Sequence, residues 1–212
     1  MEIAILLFDR LTALDVVGPY EVLSRVPGVE VRFAARQPGP VRTDNRSPLT
    51  LVADVALEAV PRPDILLVPG GPGEAAVRRD PAVLDWVRSA HETSRWTTSV
   101  CTGSLILGAA GILQGLRATG YWYWLDALRE FGAEPTPQRV VRQGKVITAA
   151  GVSSGIDMAL SLVQLEWGDD LARAIQLSIE YDPQPPLDAG SPAKAPPHVV
   201  EIVRGAIARV KR

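Results

Sequence analysis

Short apolar runs alternate with longer amphipathic segments along most of the chain. Ile3–Phe8 is continuously apolar over strand length, and Asp64–Val68 is apolar after its first residue. Strands buried on both faces need such unbroken runs, and they belong to parallel sheets covered by helices. Val29–Ala34 and Thr97–Val100 read as two further strands. Between them, Gly18-Pro19 marks a helix start, because proline suits the first helical position, and Tyr20–Leu23 continues it. Pro81–Arg95 has a helical face of Val83, Leu84 and Val87, and Thr102–Ala110, Tyr121–Phe131, Ser153–Trp167 and Val199–Val210 also read as helices. Val41–Val52 alternates as a small hairpin does, and Val140–Ile147 carries a hairpin turn at Gln143-Gly144. Strands alternating with helices predict an α/β sandwich, a mostly parallel sheet with helices on both faces. Residues 180–197 are proline-rich and aperiodic, and read either as a surface linker or as a rigid cover.

At 212 residues the expectation is a single domain over 1–212, with enough length to bury one core. Lys and Arg number 22 against 24 Asp and Glu, and with no basic run the formal charge of −2 argues against nucleic acid or an acidic membrane surface as partner. The longest nearly apolar stretch, Leu105–Leu113, falls well short of the roughly 18 residues a membrane span requires. The start MEIAILLFDR has no basic leader and meets Asp9 and Arg10 at once, so the expected compartment is the cytoplasm. One cysteine cannot close an intramolecular disulfide, and no Cys/His cluster has metal-ligand spacing, so Cys101 acts as a free thiol and no metal is expected.

The segment Trp96–Ser104 runs from strand through Cys101 directly into helix. A residue at such a turn sits at the carboxyl end of the sheet with helix amides nearby, the geometry of a nucleophile elbow. Two effects then favour a thiolate, the helix N-terminus and the unpaired first-turn amides. The plainer reading is a buried cysteine acting as a small hydrophobe. Val68-Pro69-Gly70-Gly71-Pro72-Gly73 follows a buried strand, and its amides either face a ligand, as oxyanion donors do, or simply make a turn. It lacks the Lys-Ser/Thr of a P-loop and the spacing of a dinucleotide fingerprint. Asp15, flanked by Leu14, Val16 and Val17, is either a cap or a desolvated carboxyl whose pKa rises toward the range useful for proton transfer. His91 and His198 read as solvated or capping residues, and the aromatics from Tyr121 to Trp124 as core or as the wall of an apolar pocket.

The strings AILLFDRLTALDVVGPYEVL, ILLVPGGPG, SVCTGSLILGAAGIL, ITAAGVSSGIDMAL and EYDPQPPLDAGSP, read in order, resemble the ThiJ/PfpI superfamily, in its isonitrile hydratase branch. The resemblance spans nearly the whole chain and implies a flavodoxin-like sandwich, a homodimer, and no metal or organic cofactor. Carried over by position, it makes Cys101 the nucleophile, Asp15 its carboxyl partner, Thr102 an active-site neighbour, and the Gly70 and Gly71 amides donors at the pocket. Many members carry a histidine in a Thr-His-Trp context where this chain has Thr119-Gly120-Tyr121-Trp122, which puts Tyr121 at the substrate. The implied reaction is hydration of an isonitrile to an N-substituted formamide through a cysteine thioimidate. A glyoxalase-like attack on an α-oxoaldehyde, or a ligand- or redox-sensing module without turnover, are the alternatives.

Overall fold

The computed structural model describes residues 1–44 and 49–210. Strand β1 (Glu2–Leu6) lies inside a sheet that, in chain order, also takes β2 (Glu30–Ala35), β5 (Val55–Ala56), β6 (Ile65–Val68), β7 (Trp96–Val100), β10 (Val140–Gln143) and β11 (Val146–Ala149). Across the sheet the order is β10-β11-β7-β6-β1-β2-β5, and every neighbouring pair is parallel except β10 with β11. The register runs Leu6↔Ala34 on one side of β1 and Ile5↔Leu67 on the other.

Period-two alternation sends β1 into two cores. Ile3, Ile5 and Leu7 pack with Val16, Val22, Leu162 and Val163, whereas Ala4 and Leu6 pack with Val87, Ile106 and Leu107. Each fully buried Leu or Ile stabilises by about 1.5–3 kcal/mol, so the central strand is fixed from both faces. Helices α1 (Ala13–Leu23), α5 (Ser154–Trp167) and α6 (Asp169–Ser178) cover the first face. Helices α3 (Pro81–Thr93) and α4 (Gly103–Ala109), with a 3₁₀ segment at Trp122–Phe131, cover the second. This is the expected flavodoxin-like sandwich.

Several expectations need adjusting. The first helix begins at Ala13, so Gly18 and Pro19 lie within it. An interior proline costs a helix about 3 kcal/mol, and tertiary packing offsets it here. A Cβ on Gly18 would stand 3.0 Å from Ile156 Cγ1, and one on Gly155 would stand 3.0 Å from Pro19 Cγ, so α1 and α5 cross at close range. Tyr121–Phe131 is 3₁₀ in character, starting at Trp122. Helix α6 and the short α2 (Glu74–Val77) have no counterpart among the predicted elements. The predicted hairpin is present as antiparallel β3 (Gly39–Arg42) and β4 (Thr50–Ala53), and its residues 45–48 lie outside the described ones.

Contacts divide the chain into two compact units, Met1–Ile179 and Glu180–Arg212. The second holds the proline-rich segment, with a Lys194–Asp188 ion pair at 2.7 Å, and helix α7 (Pro197–Val210). Among the described residues no helix is long and apolar enough to cross a membrane.

Candidate active site

Cys101 follows β7 directly and has φ +59°, a left-handed conformation unusual for a side-chain-bearing residue. Such strain costs roughly 1–3 kcal/mol and persists only where the surroundings enforce it. Here the Cys101 N–H donates to the carbonyls of Ala149 and Ala150 at 3.2 and 2.9 Å, and the Ser104 hydroxyl donates to the Cys101 carbonyl at 3.1 Å. Thr102 then leads into α4, completing the strand–elbow–helix turn.

Asp15 lies in the first turn of α1 and is 0% exposed. Its Oδ2 accepts the Gly70 N–H at 2.9 Å, and its Oδ1 is buried with no hydrogen-bond partner. Burial pushes the carboxyl up to about 7, opposed by the Gly70 N–H and by the Cys101 thiol, and reinforced by the charge of Asp44. Of the two readings of the sequence, cap or desolvated carboxyl, the burial and raised pKa fit the second.

The thiol departs from expectation. Cys101 is 5% exposed, and burial, followed by the negative charge of Asp15, pushes its pKa well above the ordinary range. Backbone hydrogen bonds from Thr102 and Val152 oppose this without overcoming it. Helix α4 is only 7 residues long, and its N-terminal amides do not outweigh the lost hydration and the adjacent carboxylate. The resting state is thus a buried thiol–carboxyl pair that titrates as a unit, with no free-standing thiolate.

The glycine loop also differs from its predicted part. The Gly70 N–H is taken by Asp15, and the Gly71 N–H donates to Thr102 Oγ1 at 2.9 Å. Both amides are engaged within the site in this structure, and the Thr102 hydroxyl, which accepts the Gly71 N–H, lies 3.5 Å from the Gly71 carbonyl oxygen. A Cβ on Gly70 would fall 2.4 Å from the Thr102 nitrogen, so only glycine lets the loop approach the elbow this closely. Gly70, Gly71 and Thr102 thus join the loop, the elbow and Asp15 by hydrogen bonds.

Tyr121 is brought to the site. It is half-buried, its ring would contact a Cβ on Gly151 at 2.9 Å, and its phenol is pushed up by burial and then by the charge of Cys101. Val152, with φ +28°, is the site residue that the sequence did not single out. No side-chain chemistry marks it, since its contribution is a backbone N–H. His91 lies away from the pair, with Nδ1 bonded to Thr97 Oγ1 at 2.8 Å near the amino end of β7. No cluster of three potential metal-binding side chains occurs among the described residues. A separate cleft of about 550 Å³, lined by Phe8, Arg10, Arg36, Pro72 and Val77 among others, contains neither Cys101 nor Asp15.

Residues 1–165 match the family model described as DJ-1/PfpI family. The chain belongs to the DJ-1/PfpI family. Among curated proteins it is 44% identical over 204 residues to a Pseudomonas putida protein named isonitrile hydratase, covering 96% of this chain and 89% of that one. It is also 34% identical over 149 residues to the Pseudomonas aeruginosa HTH-type transcriptional regulator CdhR, a match covering 68% of this chain and 42% of the regulator. A crystal structure of a ThiJ/PfpI family protein from Pseudomonas syringae superimposes with a TM-score of 0.94 at 38% identity, covering 98% of this chain and 86% of that one. In this DJ-1/PfpI member the elbow, the buried acid and the glycine loop converge at the carboxyl ends of β6 and β7.

Proposed function

We propose that this protein is an isonitrile hydratase, converting R–N≡C and water to R–NH–CHO. The observation that carries the reading is the Cys101–Asp15 pair, a strained, buried thiol beside a carboxyl with one oxygen fixed by Gly70 and the other unbonded. The near full-length similarity to the Pseudomonas putida isonitrile hydratase supports it.

With Asp15 pushed to about 7, the pair holds one proton around neutrality. Sulfur attacks the terminal isonitrile carbon, forming the S–C bond, while the shared proton passes from Asp15 to that carbon. The product is a thioimidate, R–N=CH–S–Cys101, and an ionised Asp15. Asp15 next removes a proton from water as hydroxide adds to the thioimidate carbon, and returns that proton to nitrogen. Collapse expels sulfur, leaves R–NH–CHO, and gives the hydroxyl proton back to the pair. The Thr102 and Val152 amides, which hydrogen-bond the sulfur, stabilise it when it leaves as an anion. Tyr121 lies beside the sulfur and lines the path of the R group.

The protein acts on this small-molecule substrate as a cytoplasmic homodimer without metal or cofactor, and the exposed Leu14, Leu49 and Val52 offer apolar surface for pairing. Following cyclohexyl isonitrile and N-cyclohexylformamide by NMR, beside methylglyoxal loss, tests the activity. Formamide accumulation without methylglyoxal turnover is expected. Methylglyoxal loss alone would favour the glyoxalase-like chemistry, and neither reaction would favour a sensor.

A further inference from the structure

The cleft beside the glycine loop lies where the strand order reverses. From β1 the chain runs to β2 on one side, and after β5 it re-enters the sheet as β6 on the other side of β1. In open α/β sheets the loops at such a reversal diverge, leaving a crevice outside the carboxyl ends of the strands where small ligands bind. The cleft occupies that place. Phe8 follows β1, Arg36 follows β2, and Pro72 and Val77 belong to the segment after β6. Its volume of about 550 Å³ is that of a small-molecule site, and its walls are mostly apolar. Two arginines stand among them. Arg36 Nη1 donates to Asp80 Oδ1 at 2.9 Å, an oxygen that also accepts the Ala82 N–H at 3.1 Å. Arg10 has no carboxylate within ion-pair distance among the described residues, and residues 45–48, Asn-Arg-Ser-Pro, have no carboxylate side chain. Arg10 is also held left-handed, at φ +62°. Its N–H donates to the Arg42 carbonyl at 2.8 Å, and its own carbonyl accepts the Gly73 N–H at 3.2 Å. Strand β3 and the glycine loop thus enforce a strained backbone at a cation on the cleft wall.

We propose that this cleft is a second binding site, for an organic carboxylate with an apolar body, the carboxylate taken by Arg10 and the body lying against Phe8, Val77 and Val83. The guanidinium fork matches a carboxylate, and a charge-assisted pair of this kind is roughly twice as strong as a neutral hydrogen bond. Asp9 and Asp80 line the same cleft, and their charges disfavour a dianion such as inorganic phosphate. The ligand is therefore singly charged, and most of its surface is apolar. Cys101 and Asp15 are not among the lining residues, so the proposal does not depend on the hydration reading.

The test is an amide NMR titration of the full-length chain with phenylbutyrate, with its neutral carboxamide, and with inorganic phosphate. Phenylbutyrate should shift the amides of residues 8–10, 36–37 and 73–77 saturably. The carboxamide should bind at least about tenfold more weakly, and phosphate should leave these signals in place. Arg10→Gly removes the charge and relieves the left-handed strain, so it should melt no lower than wild type and weaken phenylbutyrate at least about tenfold. Ala76→Phe, at an exposed position on the cleft wall, should fill the cleft and abolish the shifts. No saturable shift with phenylbutyrate, equal affinity for acid and carboxamide, or phosphate binding as tightly would overturn the proposal. So would shifts centred on Cys101, or binding that survives both substitutions unchanged.

Discussion

Asp15→Asn should abolish hydration and yet make the protein more stable above neutral pH. The wild-type carboxyl is fully buried, keeps one oxygen without a partner, and titrates at about 7 against an ordinary value of 3.8. A folded-state pKa above the unfolded one means that the folded chain binds the extra proton. Stability is then complete below about pH 4 and is lost progressively as pH rises toward 7. At about 1.4 kcal/mol per pH unit the loss reaches roughly 4 kcal/mol at most, or on the order of 10 °C in melting temperature for a chain of this size. Asparagine is isosteric, keeps an oxygen for the Gly70 N–H, and has no charge to desolvate. Thermal melts of both proteins from pH 4 to pH 8 should nearly coincide at pH 4, diverge progressively between pH 4 and 7, and stay apart by a constant amount above that, the variant melting higher. Parallel curves across that range, or a variant that is less stable at pH 8, would refute the claim that burial raises this carboxyl.

Other perturbations probe separate parts of the site and scaffold. Gly70→Ala would drive a Cβ to 2.4 Å from the Thr102 nitrogen, and should cost at least about 2 kcal/mol in denaturant melts and most of the activity. Gly205→Ala in α7, where nothing lies within 4 Å, should instead gain about 0.5–1 kcal/mol, and a loss of stability there would count against the packing described. Tyr121→Phe should lower kcat/KM for hydration about tenfold if the phenol bears on the sulfur or the substrate, with unchanged kinetics contradicting it. Lys145 donates to the carbonyls of His91, Glu92 and Ser94 at the end of α3, so Lys145→Met should cost about 1–2 kcal/mol while leaving turnover intact, because Lys145 precedes β11 at the amino ends of the parallel strands, opposite the end that carries Cys101.

Much of this architecture was legible in the chain because the buried parallel strands write themselves as apolar runs, as Ile3–Phe8 does, and because Cys101 stands between a strand and a helix pattern. Asp15 was readable from its apolar flanks. Local signals failed where tertiary contacts decide. Pro19 reads as a helix start but is held inside α1 by its contact with Gly155. The Gly70 and Gly71 amides look free in a glycine-rich string, and only the fold reveals that Asp15 and Thr102 consume them. The thiol's state depends on its burial, which the helix-start pattern does not encode. Val152 contributes an N–H in a strained backbone, a role that any side chain hides equally well.

Intact-mass analysis of the protein quenched during turnover of cyclohexyl isonitrile bears most directly on the claim that Cys101 and Asp15 together add sulfur and a proton to the substrate. The wild type should gain the mass of one substrate on Cys101 while the formamide appears in solution, and Cys101→Ala should show no adduct and lose at least about a thousandfold in rate. Unmodified wild-type protein throughout steady formamide production, with near-normal turnover by Cys101→Ala, would contradict it.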